Sequence, residues 1–191
     1  MDEDGFWHLI DQVDDRDRAG AGRITSVLVP RLARLPVPQI ADFHTLLVRQ
    51  CDRLLSWELW EAAEIILRMP VSEDSFYGFR PWIVAQGRQT FDEVLDDPDL
   101  LAEHPKIVRL AGLPGMWSNA DFPEAEELIG VGELAFDRVL AKLAPRYAAR
   151  VEWPAAFDRR PRGIPDAAPP PKFGDAQRLG KLYPWLVELF P

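Results

Sequence analysis

The chain has 191 residues, 47% apolar and 10% aromatic, with 31 acidic against 22 basic residues and a formal net charge of −9. That composition belongs to a globular protein rather than a disordered one, and its acidity argues against gripping nucleic acid by the phosphates, which takes clustered Lys and Arg. A lone cysteine, Cys51, excludes an intramolecular disulfide and suits a reducing compartment.

The acidic start, Met1-Asp2-Glu3-Asp4, is unlike the basic opening of a signal peptide. The apolar stretches at 24–35 and 54–67 are interrupted by Arg or Glu and fall short of the roughly 20 residues of a bilayer span. The expectation is a soluble, cytoplasmic protein without membrane contact. Phe6, Leu9, Ile10 and Val13 recur at spacings of three and four, one face of a first helix. Gly20-Ala21-Gly22 follows as a hinge in a charged linker. Pro38 is placed to open a helix whose apolar face is Ile40, Phe43, Leu46, Leu47 and Leu54, because its missing donor would be unpaired there anyway.

Trp57, Trp60, Ala63 and Leu67 form the next stripe, stopped by Pro70. Ser72 is a good N-cap, with Glu73 and Asp74 complementing the helix dipole, and Phe76, Phe79 and Ile83 line one face of the helix it starts. Asp97-Pro98 predicts a cap and first-turn proline for a short helix through Glu103. A last helix over 124–143 would turn Leu128, Val131, Leu134, Ala135, Val139 and Leu143 inward.

Charge then changes sign. Residues 1–140 carry 26 acidic and 13 basic residues, net −13, whereas residues 141–191 carry 5 and 9, net +4, with nine of the 18 prolines. Proline at that density opposes long regular elements. The expected fold is all-α: an acidic multi-helix domain, residues 1–150, and a basic proline-rich tail, residues 151–191. The tail's apolar end (Leu179, Leu182, Trp185, Leu186, Leu189, Phe190) forms a short helix that packs back on the body, or meets another subunit.

The sequence predicts no metal site: His8, His44 and His104 are far apart, and Glu124 and Glu127 lack the His of di-iron bundles. It carries no nucleophile elbow, phosphate loop or dinucleotide fingerprint, and no cofactor is implied. Cys51 stands beside Asp52, which disfavours a thiolate, so it reads as structural. What remains is an aromatic and charged cluster between Trp57 and Arg88. A short connection makes its two helical segments antiparallel neighbours. Trp57, Trp60, Phe76, Phe79 and Trp82 then pack together, with Asp74, Arg80, Gln86 and Arg88 near their ends. One reading is an aromatic core with paired rim charges. The other is a pocket in which Arg80 or Arg88 binds a carboxylate or phosphate beside an indole wall.

The same stretch resembles the bacterial family known as domain of unknown function 4240. The matching residues are Trp57, Leu59, Trp60, Ala62 and Ala63; then Ser72, Asp74, Phe76, Phe79, Arg80, Trp82, Ile83 and Gly87; then Asp97, Pro98, Asp99, Leu101 and Ala102. Phe6-Trp7-His8-Leu9-Ile10 is similar to the family's opening helix, and Tyr183-Pro184-Trp185-Leu186 to its closing element. Glu73, Glu64 and Pro81 depart from the pattern; Pro81 predicts a break or kink at Phe79–Arg80, or a new helix from Trp82. The resemblance implies a fold and an important surface, not a reaction.

Two functional readings follow. The first is a helical module that binds a protein partner or a small anionic ligand, without chemistry of its own. The alternative is an enzyme acting on a small anionic substrate, with Arg80 and Arg88 as the anion clamp and Asp74 or Glu61 as acid/base. Oligomeric state is not legible in the chain.

Overall fold

Helices begin where the sequence supplies caps. In a computed structural model that describes residues 1–18, 23–113, 117–118, 121–144 and 148–191, Asp2 accepts the Gly5 N–H at 2.9 Å and opens α1 (Glu3–Asp11). After α2 (Asp15–Arg18) and α3 (Arg23–Leu32) comes the long α4 (Val37–Arg53), with Pro38 in its first turn. Ser56 caps α5 (Trp57–Leu67) and Ser72 caps α6 (Glu73–Ala85), each hydroxyl accepting a backbone N–H at 3.1 Å. Such caps contribute about 1 kcal/mol apiece. Next come α7 (Arg88–Asp96), the 3₁₀ turn Pro98–Glu103, α8 (Pro105–Ala111), a 3₁₀ turn at Glu126–Leu128 and α9 (Val131–Leu140). A 3₁₀ turn at Ala155–Asp158 and the helices Ala176–Leu182 and Pro184–Leu189 complete the chain, and the described residues contain no strand. The protein is all-α. No helix among the described residues is long and apolar enough to cross a membrane.

The core is built on α4, whose Ile40, Phe43, Leu47 and Cys51 are fully buried, and which touches α1, α6, α9 and the Ala155–Asp158 turn. Packed against it, α6 is buried continuously from Gly78 to Ala85, Arg80 included. Both α5 and α7 pack on α6, and α3 packs on α9.

Two expectations are corrected. Pro81 neither breaks α6 nor starts a new helix: α6 is continuous through it. Proline cannot bond back along the helix, which takes the i−4 donor from the Tyr77 carbonyl, while the next carbonyl, that of Gly78, accepts the Ala125 N–H at 3.1 Å from outside the helix. The short helix after Asp97-Pro98 runs through Glu103 as expected, in 3₁₀ form, with the Asp97 carboxylate capping it at Asp99 N–H, 3.0 Å. The helix expected over 124–143 is a 3₁₀ turn followed by the shorter α9, and Leu134 and Leu143 are 48% and 38% exposed while Phe136 is buried. The Gly20-Ala21-Gly22 turn lies outside the described residues.

The tail joins the same core. Tyr183, Leu186 and Phe190 belong to the hydrophobic cluster of the body, and the last helix lies on α5 and the Pro98–Glu103 turn. Burying Leu186 and Phe190 contributes about 3–6 kcal/mol, whereas fixing the backbone of a six-residue helix costs about 1–2 kcal/mol per residue. Apolar burial alone therefore does not order this helix, and polar anchors matter. Asp99, 3% exposed, accepts the N–H groups of Trp185 at 3.0 Å and Leu186 at 2.8 Å. Two segments singled out in the sequence, Asp97-Pro98-Asp99 and Tyr183-Pro184-Trp185-Leu186, thus meet.

Candidate functional site

The structure distributes the eight residues singled out from the sequence over several environments. Trp60, Phe76, Phe79 and Trp82 form a continuous aromatic stack, with ring centroids 4.5, 6.5 and 5.7 Å apart and no member more than 7% exposed. Trp57 stands at its outer end, packed on Phe173 and donating from Nε1 to the Ala167 carbonyl at 2.7 Å, so the proline-rich segment covers it. Glu61 is fully buried under the tail, where it pairs with Arg178 and accepts the Gly174 N–H at 3.1 Å. Asp74 is exposed in the first turn of α6.

Arg80 is fully buried, its guanidinium donating to the carbonyls of Phe76 (3.4 Å), Cys51 (3.1 Å) and Arg162, and lying over the Phe76 ring. Burial pushes its pKa below the ordinary value, yet an arginine keeps its charge in a protein. Arg88 is on the surface, paired with Asp4 at 2.7 Å and Asp92 at 3.7 Å. Arg80 and Arg88 are thus engaged by separate sets of partners, and Glu61 by a third. Burial also raises the Cys51 thiol to about 12.

Gln86 alone of the eight lines a described cavity, one of about 540 Å3 at the C-terminal end of α6. Its walls are assembled from three places. Arg18 of α2 forms one, with Nε donating to the Val13 carbonyl (2.8 Å), Nη1 to Ala85 (3.0 Å) and Nη2 to Ile10 and Asp11 (3.1 Å each). It thereby serves last-turn carbonyls of both α1 and α6, which have no partner within their helices. The turn from α6 to α7 forms the second wall, with Gln86 donating to the Trp82 carbonyl at 2.8 Å and Thr90 just beyond. Gly87 holds φ at +102° there, and a Cβ would lie 2.7 Å from both Asp11 Oδ1 and Arg18 Nη1; the turn needs a glycine on both counts.

The third wall is the start of α8. His104 caps it, with Nδ1 accepting the Lys106 N–H at 3.3 Å, which places the proton of the neutral ring on Nε2. Lys106 donates from Nζ to the Phe122 carbonyl at 2.9 Å and sits 5.7 Å above the Trp82 ring, while the His104 ring meets the same indole edge-on at 5.1 Å. Burial lowers the Lys106 pKa, and Arg109 beside it acts in the same sense. Arg109 is exposed, 3.4 Å from Asp121. Three cations therefore face one concave space, and its described lining contains no carboxylate. Such a lining attracts negative charge at short range. Among the described residues no group of three or more His, Cys, Asp or Glu is placed to hold a metal ion.

Sequence reasoning picked Trp82 and Gln86 but missed Arg18, Thr90, His104, Lys106 and Arg109. A signal existed for the last two: they stand three apart and so share a face of the helix that Pro105 begins. Arg18 gave none, because its main partner outside the first 20 residues, Ala85, is 67 positions away.

The family model described as protein of unknown function (DUF4240) matches residues 1–138, so the chain belongs to that family. No curated protein and no solved structure matches it. All the lining residues of the cavity fall within the matched segment.

Proposed function

We propose that this protein is a helical module of the cytoplasm that binds a small anionic molecule between the α6–α7 turn and α8. The observation that carries the reading is the convergence of Arg18, Lys106 and Arg109 on one cavity in a chain of net charge −9. The volume falls in the range of small-molecule sites, about 300–1,000 Å3. Each cation has a distinct part. Arg18 spends its donors on helix-end carbonyls and contributes a fixed charge. Lys106, held by one carbonyl, keeps ammonium donors for a ligand. Arg109, with Nη2 3.4 Å from Asp121, has the rest of its planar fork at the mouth. The aromatic stack beneath makes the floor rigid, which lowers the ordering cost of binding. The buried, unpaired Cys51 thiol agrees with a reducing compartment.

The test is an NMR titration of the full chain with inorganic phosphate and with valerate, repeated on K106M and R109A. A charge-assisted hydrogen bond is worth about 1.5–3 kcal/mol, so K106M should weaken binding by about tenfold or more while circular dichroism stays unchanged. Anion binding indifferent to both substitutions, or shifts absent from the amides of Thr90 and His104, would overturn the reading.

A further inference from the structure

The cationic cavity continues past His104. A second depression of about 310 Å3 adjoins it, and the two share Thr90, His104 and Pro105. The character of the lining changes across that shared strip. On the far side stand two carboxylates, Glu93 of α7 and Glu103 at the end of the 3₁₀ turn, above buried Val94 and Leu101. The two adjoining depressions thus have a cationic end, the shared strip of Thr90, His104 and Pro105, and an anionic end.

Resting on the anion-binding reading, we propose that the ligand is dipolar: a small molecule with an anionic group at one end, an ammonium at the other and a short apolar spacer. Its anion meets Lys106 and Arg109, its spacer crosses the shared strip of Thr90, His104 and Pro105, and its ammonium is received by Glu93 and Glu103. Glu93 already accepts from Gln89 Nε2 at 2.9 Å, which fixes its side chain along α7. A carboxylate has about four acceptor positions, so a ligand donor still finds room there. The anionic end also excludes. A dianion long enough to fill both halves would carry its second charge onto two carboxylates, and like charges brought together cost affinity. The groove therefore selects by charge sign at each end.

Valerate, δ-aminovalerate and glutarate are all five-carbon carboxylates and differ in what the far end carries, so they separate this inference from the reading beneath it. With the full-length chain, δ-aminovalerate should bind about tenfold tighter than valerate, and glutarate no tighter than valerate. In the E93Q/E103Q double variant the preference for δ-aminovalerate should shrink to about twofold or less, whereas K106M should weaken the binding of both valerate and δ-aminovalerate. If δ-aminovalerate has no advantage in the natural chain while K106M still weakens valerate, the dipolar assignment fails and the anion site stands. If the advantage survives E93Q/E103Q, the carboxylates are not its source and the assignment also fails. If neither ligand responds to K106M, both readings fall together.

Discussion

Replacing Glu61 tests how the tail is held. This carboxylate is fully buried, yet donors from three places in the tail converge on it: Arg178, the Gly174 N–H at 3.1 Å and the Tyr183 hydroxyl, 3.2 Å away. The hydroxyl also reaches the Glu58 carbonyl at 3.0 Å and, with one proton, donates to one acceptor at a time. Breaking a buried ion pair on one side costs about 3–5 kcal/mol. Two features reduce that for E61A: Arg178 is 20% exposed and turns to water, and Tyr183 keeps Glu58. The orphaned Gly174 N–H adds about 1 kcal/mol. The expected loss is therefore about 3 kcal/mol, which for a chain of this length lowers the melting temperature by about 6–12 °C. E61Q keeps an acceptor for Gly174 and should lose about 2 kcal/mol. Thermal and urea unfolding give the two values, and limited proteolysis shows whether the segment after 170 is released first. If E61A and E61Q both stay within about 1 kcal/mol of the parent, with the tail equally protected, Glu61 is not its anchor.

Two further outcomes are fixed by burial. Burial holds the His44 pKa below its ordinary 6.5, with the ring donating from Nε2 to the Arg159 carbonyl at 3.0 Å; nearby Arg160 also lowers it and Glu133 opposes. The unfolded chain therefore takes up this proton first, so the stability tied to neutral His44 is complete above about pH 6.5 and is lost as pH falls below it; urea midpoints at pH 7.5 and 5.5 should differ less in H44Q than in the parent, and an identical difference refutes the assignment. Cys51, fully buried with its thiol raised to about 12, should resist iodoacetamide in the native protein and take one equivalent after denaturation, and rapid labelling of the folded chain would contradict its placement.

The legible parts of this fold were local. Ser72, Pro38 and the Asp97-Pro98 pair mark element starts because a cap or a first-turn proline acts within a few residues of itself. The stripe from Leu128 to Leu143 held only in part. The Glu126–Leu128 turn is 3₁₀, with three residues per turn instead of 3.6. Leu128, Val131 and Ala135 are buried as expected, but the buried face of α9 runs through Val131, Gly132, Ala135 and Phe136, which leaves Leu134 on its exposed side. The aromatic cluster was visible as composition, but whether it was a pocket or a filled core depended on what covers it. Phe173, Ala167 and Gly174 do so from more than 100 positions away. The cationic cavity is assembled over similar distances. No window of the sequence holds Arg18, Gln86 and Lys106 together, and the only local trace is the spacing of Lys106 and Arg109.

The net charge takes on a different meaning once its members are placed. Several of the body's acids face the tail rather than a partner: Glu61 pairs with Arg178, Glu133 with Arg160 at 2.9 Å, and Asp52 with Arg162 at 3.8 Å, while Asp99 receives two tail N–H groups. The −13 body and the +4 tail are thus partly complementary faces of one molecule, which weakens overall acidity as an argument for a basic partner. The remaining field still repels an anion at long range. That repulsion is screened over about 8 Å at physiological salt, less than the width of a helix with its side chains, about 10–12 Å. Inside that distance an approaching ligand meets Lys106 and Arg109 rather than the sum of the chain, and so an acidic protein can hold an anion in a basic groove.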